Sequence, residues 1–175
     1  MKRAFLAVLA CGLLVGCSSM TVNTDYSVDA DFSKFETFAY RDSSNTVQAT
    51  SPLAHQRIIA ALKDNMSKSG LTLVDGEPDV YVSYYGSTTE QLQFHTSYLG
   101  VNNWAHRGMG MGVTSATTRT TTVTEGTLVI DVWETDGDDL VWRAVASAPL
   151  SDNPDRNTAA INRAVERAFN DFPPQ

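Results

Sequence analysis

Three histidines, His55, His95 and His106, are the side chains whose ordinary titration lies closest to neutrality, so acid–base or metal chemistry would start with them. No two share the short spacing that puts a pair of ligands on one helix face. Nucleophilic catalysis is no better served. There is no Gly-x-Ser-x-Gly elbow, and both cysteines, Cys11 and Cys17, fall at the start of the chain. The remainder therefore has no thiol nucleophile, disulfide framework or cysteine-ligated metal. Asp131 is the one carboxylate inside a strongly apolar strand pattern; it is expected on the solvent side, paired with Arg143 across a hairpin. Asp136-Gly137-Asp138-Asp139 lacks the spaced carboxylates and closing glutamate of a calcium loop and is expected as a turn. The glycines at 100, 108, 110 and 112 open no helix and end in no Gly-Lys-Ser/Thr, so no phosphate loop is expected. Catalytic, cofactor-binding and metal-ligating residues are all expected to be absent.

Two segments remain that could bind rather than react. Gly100 to Val113 sets Trp104, His106, Arg107, Met109 and Met111 among glycines and asparagines. Tryptophan, arginine and methionine are favoured at contact surfaces, so Trp104, Arg107, Met109 and Met111 form a candidate interaction loop. The threonine run from Thr114 to Thr124 has strand-forming composition with little to bury. It is expected either as an exposed edge open to another chain or as an ordinary strand with a polar outer face.

The elements that must position these residues belong to a chain of 175 residues, 42% hydrophobic and 19% charged, which fits one globular domain. Its formal charge of −7 argues against a nucleic-acid partner. Lys2 and Arg3, the apolar run Ala4 to Leu14 and the small residues after it read as a secretory signal peptide, too short to span a bilayer. The residues Leu14-Val15-Gly16-Cys17 resemble the lipobox of bacterial lipoproteins. That resemblance implies removal of residues 1–16 and lipid attachment at Cys17. Two or more acyl chains hold stably, and Ser18 in place of aspartate resembles the pattern exported to the outer membrane. The expected address is the periplasmic face of the outer membrane. Residues 17–26 are expected as lipidated cysteine and tether, reaching at most about 30 Å, and residues 27–175 as a single domain. Cleavage takes the charge from −7 to −9, so the anchor and not surface attraction would hold the chain to an anionic membrane.

Within that domain, strands are expected at Phe35 to Tyr40, Leu71 to Val74, Val80 to Tyr85 and Gln91 to Tyr98, with a weaker one at Val22 to Val28. Thr127 to Trp133 and Leu140 to Ala146 form a hairpin about Asp136-Gly137. Ser51-Pro52 opens an amphipathic helix carrying Leu53, Ile58, Ile59, Leu62 and Met66 and ending near Gly70. Asn153-Pro154 opens a second, carrying Ile161, Val165, Ala168, Phe169 and Phe172 before Pro173-Pro174 stops it. The fold class follows: α+β, two amphipathic helices packed on one face of a mainly antiparallel sheet.

With these elements in place the chain resembles a bacterial lipoprotein family, domain of unknown function 4136. Asp31–Tyr40, Pro78–Val82, Glu125–Asp131 with Leu140–Arg143, and Phe172–Pro174 carry the likeness through their order. The resemblance implies a secreted, membrane-anchored α+β domain and supplies no catalytic residues. The leading expectation is a non-catalytic outer-membrane lipoprotein, joined to the membrane through Cys17 and contacting an envelope protein through the loop or the threonine-rich edge. The alternative is a small-molecule or lipid carrier with a pocket lined by Tyr84, Trp142 and Phe169. An envelope hydrolase with an unfamiliar site is the remote third.

Overall fold

A computed structural model describes residues 20–41, 46–100 and 114–174. In chain order the elements are β1 (Thr21–Tyr26), a 3-10 turn (Phe32–Lys34), β2 (Thr37–Tyr40), α1 (Thr46–Thr50), α2 (Pro52–Lys68), β3 (Thr72–Leu73), β4 (Val80–Gly100), β5 (Thr114–Glu134), β6 (Leu140–Pro149) and α3 (Pro154–Ala168). The strands form one sheet in the order β1-β6-β5-β4-β2-β3.

The class is α+β and the sheet is mixed, which corrects the antiparallel expectation. β1, β6, β5 and β4 are antiparallel neighbours, but β2 lies parallel to both β4 and β3. The cause is α2. A helix between β2 and β3 carries the chain back to its starting end, so the two strands run the same way. The weaker strand expected at Val22 to Val28 is β1, Thr21–Tyr26, paired from Thr21↔Ser147 to Tyr26↔Trp142, so most of the segment also assigned to the tether is strand. The folded domain therefore begins only a few residues after Cys17. Two of the expected strands, Val80 to Tyr85 and Gln91 to Tyr98, are parts of the single strand β4, and the threonine run is continuous with the strand that follows it in β5.

Local chemistry explains the element ends. Asn153 caps α3 by accepting from the backbone of Asp155 and Arg156 at 2.8 and 3.3 Å. Ser51 sits at the α2 cap position without such a bond, and Pro52 begins that helix. Gly70, at φ +92°, supplies the left-handed turn that stops α2. Asp31 holds the 3-10 turn, accepting from the Ser33 amide and hydroxyl at 3.1 and 2.6 Å.

α2 and α3 cover one face of the sheet. Ile58, Leu62 and Met66 of α2 and Val165, Ala168 and Phe169 of α3 meet Val80, Val82, Tyr84, Ile130, Val132, Trp142 and Ala144. Trp142 lies 5.0 Å from the Phe169 ring and 5.1 Å from Phe172, centroid to centroid. The other face carries Asp131, paired to Arg143 by two bonds of 2.6 and 2.8 Å as expected, and Trp133, with Arg41 stacked 5.2 Å above its ring.

Candidate functional site

Alternation along β4 decides what each end of the sheet can do. Val80, Val82 and Tyr84 point under the helices and are buried; the same face continues through Gly86, Thr88, Glu90, Leu92 and Phe94. β6 accompanies β5 only as far as Glu125↔Pro149, and β2 accompanies β4 only from Val80 to Val82. Beyond Thr89↔Glu125 the two strands run on together, in unbroken register to Gly100↔Thr114, with no third strand among the described residues. The result is a two-stranded ribbon about 40 Å long from Thr88 to Gly100, at ~3.3 Å per residue. Its described side chains from Ser87 to Ser97 and from Ala116 to Thr122 are exposed. Leu92 and Phe94, 63% and 67% exposed, share one face with Thr122 and Thr120; Gln93, His95 and Arg119 lie on the other.

The chain enters the domain at the base of this ribbon. Thr21 pairs with Ser147, Ser147 with Thr127, and Thr127 with Ser87, so all four share one level of the sheet. β1 runs away from the ribbon, which puts Met20 on the ribbon's side. Met20 is buried against Ala146 and Ala164, and its carbonyl accepts from Arg167 at 3.3 Å.

At the same level, between α1, α2, α3 and the sheet, lies a partly open cavity of about 310 Å³. Small residues form most of it: Gly86 and Gly126 on the strands, Ala146 and Ala148 on β6, Ala54 on α2, Ala160 and Ala164 on α3. Arg57, Ser51 and Asn157 add polar groups. A Cβ at Gly86 would meet Val47 Cγ2 at 2.5 Å, and one at Gly126 would meet Leu150 Cδ2 at 2.9 Å, so both glycines let neighbours close over the strands. The expected carrier residues do not line this cavity. Tyr84, Trp142 and Phe169 belong to the packed core nearer the other end.

That other end is polar. Asp79 Oδ2 accepts from the amides of Glu36 and Thr37 at 3.0 and 2.8 Å and from the Thr37 hydroxyl at 2.7 Å. The Asp79 amide donates back to Thr37 Oγ1 at 2.9 Å. These bonds, the Glu36 amide first, hold the Asp79 carboxyl below its ordinary range. Lys34 pairs with Glu134 at 2.6 Å, which raises the ammonium's pKa.

The histidines are separate. His55 Nδ1 is hydrogen-bonded to the Tyr84 hydroxyl in a half-buried position, whereas His95 is exposed on the ribbon opposite Arg119. Asp138, in the expected turn, pairs with Arg41 at 2.6 Å. Among the described residues no group of three metal-ligating side chains converges. Cys17, His106 and the candidate loop residues Trp104, Arg107, Met109 and Met111 lie outside the described residues. Sequence reasoning missed the cavity. Its only available signal was two glycines interrupting strand patterns, the usual mark of close approach.

The sequence matches the family described as "Domain of unknown function (DUF4136)" over residues 22–174. No functionally curated protein matches it significantly. Among solved structures, a PDZ domain protein from Parabacteroides distasonis superposes with a TM-score of 0.56 at 14% identity, over 89% of this chain. This chain spans about a third of that protein, 36% of its length. PelC from Paraburkholderia phytofirmans, solved as a dodecamer, superposes with a TM-score of 0.50 at 8% identity, over 86% of this chain and 94% of that one. At such identities the likeness is one of fold.

Proposed function

The chain belongs to the DUF4136 family, and on that premise we propose that it is a non-catalytic lipoprotein, held through Cys17 on the periplasmic face of the outer membrane, whose ribbon engages a protein partner in the envelope. The observation that carries this reading is the ribbon itself. A two-stranded ribbon is at best marginally stable in water, and open strand edges are normally shortened or covered because they invite pairing. This one is long, open on both edges among the described residues, and exposes Leu92 and Phe94. It contributes little to its own core, so its use lies in contact with something else.

The leader supports the anchor, and the position of β1 gives the anchor a consequence. From Cys17 to Thr21 the chain reaches at most about 14 Å, far less than the length of the ribbon that leaves the same end of the sheet. A ribbon of that length cannot stand between domain and bilayer. It lies along the leaflet, and its partner is seated in or on the same membrane.

Photocrosslinking in cells from position 94 on the ribbon and position 104 beyond it, with position 37 on β2 as control, tests the contact. A discrete adduct from 94 or 104 and none from 37 is expected. No adduct, or equal adducts at all three positions, overturns the ribbon's role. Because PelC, of similar fold, is a dodecamer, the adduct's mass must be compared with that of two copies of this chain. The anchor is tested separately: Cys17→Ser should lose incorporation of labelled palmitate and leave the membrane fraction.

A further inference from the structure

The cavity at the base of the ribbon is unused by the reading above, and three observations give it an occupant. Its walls include Ala146, Ala160 and Ala164, where larger apolar side chains would narrow it. Arg57 lies among its lining residues, half-buried, and pairs with no carboxylate among the described residues. Met20, three residues after Cys17, packs with Ala146 and Ala164, two of the lining residues. A mainly apolar space with a guanidinium that has no carboxylate partner among the described residues suits an apolar chain that ends in an anion.

We propose that this cavity binds the acyl chain of a free fatty acid, with Arg57 holding the carboxylate. The size bounds the occupant: a partly open space of about 310 Å³ holds, at roughly 30 Å³ per water-sized group, an acyl chain of medium length and not a long one. The guanidinium offers two parallel N–H donors to a carboxylate, a geometry that an alcohol of equal length cannot use. The site is independent of the ribbon's role, because none of its lining residues belongs to the segment Leu92–Thr122.

The test is calorimetric titration of the mature chain carrying Cys17→Ser with octanoate, decanoate, dodecanoate and decanol. Each buried methylene should tighten binding about fourfold, so decanoate should exceed octanoate about 16-fold, with the gain fading once the cavity is full. Arg57→Gln should weaken decanoate about tenfold and leave decanol unchanged. Ala160→Phe, which places a ring in the cavity, should abolish binding of both. Absence of binding, affinity indifferent to chain length, or equal loss of decanoate and decanol on Arg57→Gln overturns the proposal; this last arm stands even if the Ala160 variant fails to fold. A chain with the ribbon excised should bind decanoate as the intact one does, which separates this site from the ribbon's function. Photoactivatable decanoate applied to the lipidated protein in membranes distinguishes the source. Labelling that appears only in the Cys17→Ser form would overturn a free fatty acid in favour of the protein's own anchor.

Discussion

Excising the ribbon is the sharpest test of the claim that it serves a partner and not its own domain. Replacing Leu92–Thr122 with Asn-Gly joins Gln91 to Val123, residues already paired across the ladder, through a two-residue turn suited to strand twist. The energetic terms are small. Leu92 and Phe94 are 63% and 67% exposed, so only about a third of each surface is covered. At about 1.5–3 kcal/mol for full burial of such a side chain, the pair forfeits roughly 1 kcal/mol. The lost ladder bonds are solvent-exposed, each exchanged for bonds to water at little net cost. The shorter connection recovers closure entropy of similar size. The variant should therefore lie within about 1 kcal/mol of the parent, a melting shift below about 4 °C for a domain of this size. Urea unfolding followed through Trp133 and Trp142, both retained, would measure it, and the same variant should lose its crosslinked partner in cells. A stability loss above about 3 kcal/mol would refute the reasoning, because it would mean that the ribbon packs on its own domain.

Three further outcomes follow from the packing. Asp79→Asn should cost about 2 kcal/mol by weakening three accepted hydrogen bonds in an exposed setting. Because the folded pKa of Asp79 is lowered, its contribution is fully present above the unfolded value near 3.9 and is lost as pH falls through the folded one. The gap between parent and variant in chemical denaturation should thus hold from pH 7 to about pH 5 and close below about pH 4. Gly86→Ala should destabilise by about 1–3 kcal/mol, because the new Cβ meets Val47 Cγ2 at 2.5 Å. Gly126→Ala should cost under about 1 kcal/mol, since it meets only the end of the Leu150 side chain at 2.9 Å; equal melting shifts for the two would contradict this contrast. Trp142→Ala should cost about 3–5 kcal/mol in urea unfolding, the range for a large aromatic in a closed core, here 2% exposed against Phe169 and Phe172.

How much of this was legible depends on what each segment buries. α2 and α3 could be read from Ile58, Leu62 and Met66, and from Val165 and Ala168, because a half-covered helix must repeat its apolar residues at helical spacing. The β5–β6 hairpin could be read because Ile130, Val132 and Trp142 alternate with Asp131 and Arg143, and because Gly137 and Asp138 take the positive φ of a tight turn. β1 was legible only as a weak strand, overlapping the tether, because its residues other than Val22 are exposed and pairing with β6 is what fixes it. The length of β4 was hidden for a related reason. From Ser87 to Ser97 it is exposed on both faces, and without burial there is no alternation to detect. The parallel pairing of β2 involves two residues with β3 and three with β4, too few to leave any signal in sequence.

The same strand face thus plays three parts, and helix cover determines which. Under α2 and α3, Val80, Val82 and Tyr84 are core, and a large-to-small change there opens a void. Where the helices begin, Gly86 and Gly126 let Val47 and Leu150 close over the strands while the helices turn to alanine, and a partly open cavity remains beside them. Past the helices the face regains Leu92 and Phe94, now largely uncovered among the described residues. Evolution toward stability alone would reverse the last two steps, placing a larger side chain at Ala160 and polar ones at Leu92 and Phe94. On the proposed anchorage, the cavity and the ribbon that exposes Leu92 and Phe94, both at the end where the chain enters, would face the membrane. That interpretation makes a joint demand: a filled cavity and a polar ribbon, introduced together, should yield a protein at least as stable as the parent and unable to act at the envelope. Retained partner capture and decanoate binding in such a variant would remove the membrane-facing end from the account and leave only the fold.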